Sequence, residues 1–188
     1  MSGPLPREGE RIGADALFRA HAQFVAGFLV RLGVPAADVD DAVQEVFVVA
    51  HRKGGYVAGP ARPRSWLGAI ALRIAQASRR VRTTRQLRES LDTESVEFAL
   101  AASSDPSEHF ETRRSVERVQ RALDTLPVEH RAAFLLYELE GESCESIAAG
   151  WSIPLGTVYS RLHNARRRFL LAYEAATEAP SARCAGER

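Results

Sequence analysis

Cysteine is scarce in this chain of 188 residues, and the two that occur, Cys144 and Cys184, stand in unrelated contexts with no Cys or His at metal-ligand spacing. Neither a disulfide framework nor a zinc site is expected. Apolar runs are short: none approaches the roughly 18 residues that a membrane-spanning helix needs. The first residues are polar and carry Pro4, Pro6 and Gly9, unlike a secretory signal. The expectation is a soluble cytoplasmic protein with no membrane insertion. Also missing are a phosphate-binding glycine loop, a metal motif and any grouping of nucleophile, base and orienting residue. An enzyme would have to use His51, Glu45 or Cys144, around which no such constellation is visible, so no catalysis and no cofactor are expected.

Charge of one sign is absent over long intervals, which the net charge of +1 conceals. Between Glu45 and Glu89 there is no acid, while Arg52, Lys53, Arg62, Arg64, Arg73, Arg79, Arg80, Arg82, Arg85 and Arg88 all fall there. From Glu89 to Glu111 the pattern inverts, with acids and no Lys or Arg. A second acid-free interval, Ala148 to Tyr173, holds Arg161, Arg166, Arg167 and Arg168. Two basic modules thus flank an acidic connector, a distribution suited to two phosphate-binding surfaces.

Helical periodicity dominates and strand alternation is lacking, which predicts an all-α fold. Helices are expected over about 14–32, 37–53 and 65–82, and then over 107–125, 127–139, 143–151 and 155–175. Gly33, Gly54–Gly55 and Gly141 serve as stops and Pro127 as a first-turn residue. In the second helix Val39, Val43, Val46 and Ala50 share one face, which leaves Asp41, Gln44, Glu45 and Val48 on the opposite one. The predicted organisation is a disordered tail (1–13), a three-helix bundle (14–85), a flexible acidic linker (86–112), a second small helical domain (113–175) and a C-terminal tail (176–188).

In the last helix Val158, Leu162, Ala165 and Phe169 form a narrow apolar stripe, so Ser160, His163, Asn164 and Arg167 point away from it. A short helix, a tight turn at Ser152–Pro154 and a longer basic helix compose a helix-turn-helix, whose second helix fits a major groove about 12 Å wide. Asn suits adenine there and Arg suits guanine. By pattern alone, a basic surface helix in a plain bundle remains open.

These residues carry a family resemblance. Leu126-Pro127, Arg131, Gly141, Ser143, Ile147-Ala148, Ile153-Pro154, Gly156-Thr157-Val158 and Ser160-Arg161-Leu162 resemble the promoter-reading region 4 of the sigma-70 family. Asp41, Val43-Gln44-Glu45-Val46-Phe47, Trp66-Leu67, Ile70-Ala71 and Arg79-Arg80 are similar to its region 2. Two such regions with only a short connector are similar to the extracytoplasmic function (ECF) group. The resemblance implies that Asp41, Gln44, Glu45 and Val48 dock on the clamp coiled coil of core RNA polymerase. It implies that Arg62, Arg64, Arg73, Arg79 and Arg80 hold the melted minus-ten strand, and that Thr157, Tyr159, Ser160, Arg161, His163, Asn164 and Arg167 face minus-thirty-five DNA. Further implied partners are the polymerase flap and an anti-sigma factor, and Trp66, which could stack on a base, aligns with a core tryptophan of the family and is read as a core anchor.

The chain departs from the family pattern at several places. Arg73 stands where an Asn is common, and Ala77 where an acid is. Ser146 replaces the acidic capping-box partner of Ser143, Ser152 replaces the turn glycine, Trp151 replaces a leucine, and Tyr159 takes a usually basic position. These changes imply an altered promoter preference and a less firmly started helix after Ser143. The alternative reading is a stand-alone helix-turn-helix regulator, which leaves the N-terminal half unexplained. A polymerase-binding protein that has lost DNA reading is a third.

Overall fold

The computed structural model of the protein describes residues 7–89 and 106–178. The N-terminal half is a bundle of α1 (Ala14–Arg31), α2 (Ala36–Arg52) and α3 (Pro63–Glu89). Asp15 in the first turn of α1 and Arg31 in its last complement the helix dipole. Gly33, at φ 90°, reverses the chain into α2 with Val34 N–H donating to Leu29 O. The face Val39, Val43, Val46 and Ala50 is buried, as its spacing predicts. Proline begins α3, where its missing N–H costs nothing.

Two features of this half differ from expectation. Residues 7–13, expected within a disordered tail, are tied down: β1 (Arg11–Ile12) pairs antiparallel with β2 (Tyr56–Val57). Gly9 N–H donates to Ala58 O, and Ala58 N–H to Glu10 O. Two-residue strands are too short to show an alternation, so the pairing is invisible in the sequence. Gly55 makes it possible, because a Cβ there would lie 2.3 Å from Ile12 O. Secondly, α3 runs seven residues further than the periodicity predicts, ending at Glu89.

The C-terminal half contains α4 (Pro106–Asp124), α5 (Val128–Phe134), α6 (Cys144–Trp151) and α7 (Leu155–Glu178). The predicted linker, 86–112, thus overlaps the end of α3 and the start of α4, and its remainder, 90–105, lies outside the described residues. So do 1–6 and 179–188 of the predicted tails. The helix expected over 127–139 changes character partway, since Leu135–Leu139 form a π-helical turn with Glu140 N–H donating to Leu135 O, five residues back. Gly141, at φ 65°, then reverses the chain so that Glu142 N–H reaches Leu136 O.

The two helical units also pack against each other, through α3 on α6, α5 and the π turn. Leu67, Ala69, Ile70, Ala71, Leu72, Ile74 and Ala75 of α3 are all buried, as befits a helix covered on more than one side. Close approach rests on two helical glycines. A Cβ on Gly68 would meet Leu136 at 3.1 Å, and one on Gly150 would meet the Ser65 carbonyl carbon at 2.9 Å. The fully buried Leu136 contributes about 1.5–3 kcal/mol by leaving water. Arg131 extends the contact: its buried guanidinium pairs with Asp124 at 2.7 Å and approaches Arg31 O, at the C-terminus of α1, at 3.4 Å.

Candidate nucleic-acid interface

Three helix faces carry the polar residues singled out in the sequence. On α2, Asp41, Gln44, Glu45 and Val48 are all exposed, opposite the buried valine face. Phe18 of α1, itself 45% exposed, sits edge-on to Phe47 at 5.0 Å and extends that surface with an apolar edge.

Along α3 and the loop before it, the side chains of Arg62, Arg73, Arg79 and Arg80 are exposed. Arg64 is different. Its guanidinium donates to Glu140 at 2.6 Å and lies 5.4 Å from the Phe24 ring centre. Trp66 is half-buried, its ring edge-on to Tyr56, so it serves as a packing residue with one side reachable. His21 stands near Arg64 and Glu142, and burial first, then the Arg64 charge, holds it below its ordinary value.

The third face is the helix-turn-helix. Ile147 and Trp151 of α6 and Val158, Leu162 and Ala165 of α7 are buried together. Ser143 caps α6 by accepting from Ser146 N–H at 3.1 Å. Ser152 makes the turn in the left-handed region, φ 53°, with Ile153 N–H donating to Ala148 O. On α7 Tyr159, Ser160, His163 and Arg167 are exposed, while Thr157, Arg161 and Asn164 are half-buried. Arg161 lies over the Trp151 ring at 5.8 Å, which gives the substituted tryptophan a role in fixing that side chain. Arg166 is held by Glu138 at 2.6 Å and over Tyr137 at 5.0 Å, so it braces the π turn. The neighbouring Glu145 carboxylate raises the Tyr159 phenol, which stays a neutral donor.

Among the described residues no group of His, Cys, Asp and Glu is placed to hold a metal, and no helix is long and apolar enough to cross a membrane. Cys144 is buried, and desolvation raises its thiol, which is the opposite of an activated nucleophile.

Residues 17–85 match the family Sigma-70 region 2, and residues 116–169 match Sigma-70, region 4. The ECF RNA polymerase sigma-E factor of Escherichia coli K12 is 32% identical over 165 residues, covering 85% of this chain and 86% of that protein. The chain belongs to the ECF sigma factors of the sigma-70 family. A further ECF sigma factor, SigE of Mycolicibacterium smegmatis, is 33% identical over 155 residues, and there the match covers 82% of this chain but only 59% of the relative. In fold, this sigma factor is similar to RpoE of Bartonella quintana, solved in complex with the anti-sigma factor NepR. That likeness has a TM-score of 0.63 at 22% identity and covers 84% of this chain and 94% of that one.

Sequence reasoning did not foresee that the ECF regions would share a polar contact. Ser65, Glu129, Glu140, Glu142 and Ser146 are brought together with Arg64 and Gln76 between α3 and the second half. The available signals were the nearly unbroken apolar run from Trp66 to Ile74 and glycines inside two helices, both of which mark close approach.

Proposed function

We propose that this ECF sigma factor binds core RNA polymerase and directs promoter-specific transcription initiation with the three faces in separate roles. Asp41, Gln44, Glu45 and Val48 dock on the clamp coiled coil, and the second region touches the flap. Arg62, Arg64, Arg73, Arg79 and Arg80 hold the separated minus-ten strand, whose phosphates need cations. Thr157, Tyr159, Ser160, Arg161, His163, Asn164 and Arg167 face the minus-thirty-five duplex, where phosphate contacts position the helix and base contacts specify the site.

The observation that supports this reading most directly is the occurrence of both sigma-70 regions in order, each with a polar or cationic helix face opposite a buried apolar one. A stand-alone regulator would have no use for the first region. By analogy with the Bartonella complex, an anti-sigma protein is proposed as a further partner.

Run-off transcription with core polymerase over a promoter library tests the roles. Asp41→Ala should lower output at every promoter. Arg73→Asn should redistribute preference at the minus-ten element, and Asn164→Ala should relax it upstream by the ~1–3 kcal/mol that a base contact contributes. No transcript from any promoter with the wild-type chain would sink the functional reading, and unchanged output from all three variants would sink the site assignments.

A further inference from the structure

We propose that the N-terminal strap, residues 9–12, and Tyr56 are positioning elements for the minus-ten strand: together they hold the loop between α2 and α3 in one shape and so present Arg62 to DNA.

The loop, residues 53–62, is longer than the roughly 2–8 residues a helix-to-helix connection needs, and it contains Gly54, Gly55, Gly59 and Pro60. Left to itself such a segment samples many conformations, and ordering it on binding costs entropy. Here it is tied at three places. At its start Gly54 N–H donates to His51 O and Gly55 N–H to Ala50 O, which continues the chain from α2. In its middle the buried Ala58 is satisfied on both sides by the strap, its N–H donating to Glu10 O at 2.8 Å and its carbonyl accepting from Gly9 N–H at 2.9 Å. The Arg11 guanidinium adds a bond to Gly54 O at 2.7 Å, and the ladder sets Ile12 opposite Tyr56. At the end of the loop the Tyr56 hydroxyl donates to Ala61 O, the carbonyl immediately before Arg62.

Tyr56 joins these ties into one chain of contacts. Its side chain is buried with the ring edge-on to Trp66 of α3, centroids 5.8 Å apart, so the hydroxyl has a fixed location. The other end of the strap is fixed too. Gly13 leads straight into α1, accepting from Leu17 N–H at 3.0 Å, and Leu17 is fully buried. Three helices thus set the loop's shape, while Arg62 itself stays exposed. A cation aimed in advance gives up less on meeting a phosphate than one carried by a loose loop. Anchoring a bare terminus would need the ladder alone, without the bond from Tyr56 across the loop to Ala61.

This inference rests on the reading that Arg62 meets the minus-ten strand. The test is run-off transcription by the full-length chain with core polymerase, on the library promoter that gives the most transcript, read as the DNA concentration for half-maximal output. Arg62→Ala should raise that concentration about tenfold, and Tyr56→Phe, which keeps the ring and loses only the hydroxyl, about fivefold. Arg11→Ala and Gly55→Ala, which loosen the strap, should each raise it at least about threefold. Coupling separates positioning from plain stability. Tyr56→Phe or Arg11→Ala added to Arg62→Ala should cost nothing further, because an arginine that is gone cannot be misplaced. Effects that multiply, to about fiftyfold for Tyr56→Phe with Arg62→Ala, would overturn the proposal. Should Gly55→Ala fail to fold, the Tyr56 and Arg11 variants carry the decision. An unchanged value for Arg62→Ala would fell the reading of Arg62 and the proposal with it. A loss there, with wild-type values for Tyr56→Phe and Arg11→Ala, would leave that reading standing and remove only the positioning role.

Discussion

At Ser152 the backbone takes a left-handed φ of 53°, which costs an L-residue about 1–2 kcal/mol. Ser152→Gly removes that strain but frees the unfolded chain by about 0.4–1 kcal/mol. The net expectation is a gain of about 0.5 kcal/mol, read from a urea midpoint shifted upward at unchanged slope. Arg131 is the opposite case, a fully buried cation whose charge is matched by the half-exposed Asp124. Desolvation lowers its affinity for a proton while Asp124 restores it, and Asp124→Ala should therefore destabilise by about 3 kcal/mol, the low end for breaking a buried pair. His21 sets a pH dependence. Its folded-state value is depressed by burial and by Arg64 and is only partly restored by Glu142. The unfolded chain therefore binds a proton that the folded one resists. Stability is full above the ordinary histidine value of about 6.5 and declines as pH falls through that value toward the folded one. Denaturant midpoints measured from about pH 7.5 to about 5.5 should decline, and His21→Gln should flatten the curve. These roles were only partly legible. Arg131 and Ser152 stood out as motif positions, but which carbonyl or carboxylate each side chain meets depends on residues far away in sequence.

Among the elements, α2 and α7 follow their sequence closely, because an amphipathic helix with one buried stripe has a local period that fixes which residues face out. The exposed set on α2 and the buried stripe Val158, Leu162 and Ala165 on α7 were both readable from spacing alone. Asn164 was placed outward but is half-buried, next to the fully buried Ala165. The helix α3 resisted the same treatment, its apolar residues surrounding it rather than forming one stripe. The N-terminal pairing of β1 with β2 was unreadable for lack of length. That pairing yields a prediction at this scale: Gly55→Ala combines a φ of 86° with a Cβ 2.3 Å from Ile12 O, so the strap should detach. Faster amide exchange at Ile12 and Ala58, with a loss of about 2 kcal/mol in stability, is the expected outcome. Protection equal to wild type at both amides would contradict this account of Gly55.

The whole molecule poses a problem of span. A compact body of roughly 150 residues is about 40 Å across, from a radius of gyration of about 15 Å. The minus-ten and minus-thirty-five elements, about 25 base pairs apart by their names, are separated by ~85 Å at 3.4 Å per pair. The closed body cannot serve both at once. The sixteen residues 90–105 can reach at most ~58 Å when extended, enough for the halves to separate without losing their covalent tie. Solution scattering should therefore show a radius of gyration near 15–18 Å for the free chain and a clear increase on a duplex carrying both elements. No increase on binding would mean that the two regions do not engage the two elements together. The sequence by itself determined the helices, the order of the two regions and the outward faces of α2 and α7, because each of these is written in a local period or a charge run. Only the tertiary structure decided that Arg64 is occupied, that the first strand is pinned, and that region 4 glutamates sit against α3. Those contacts join groups up to 77 residues apart, and nothing in a local window of sequence encodes which distant carboxylate will neutralise a given cation.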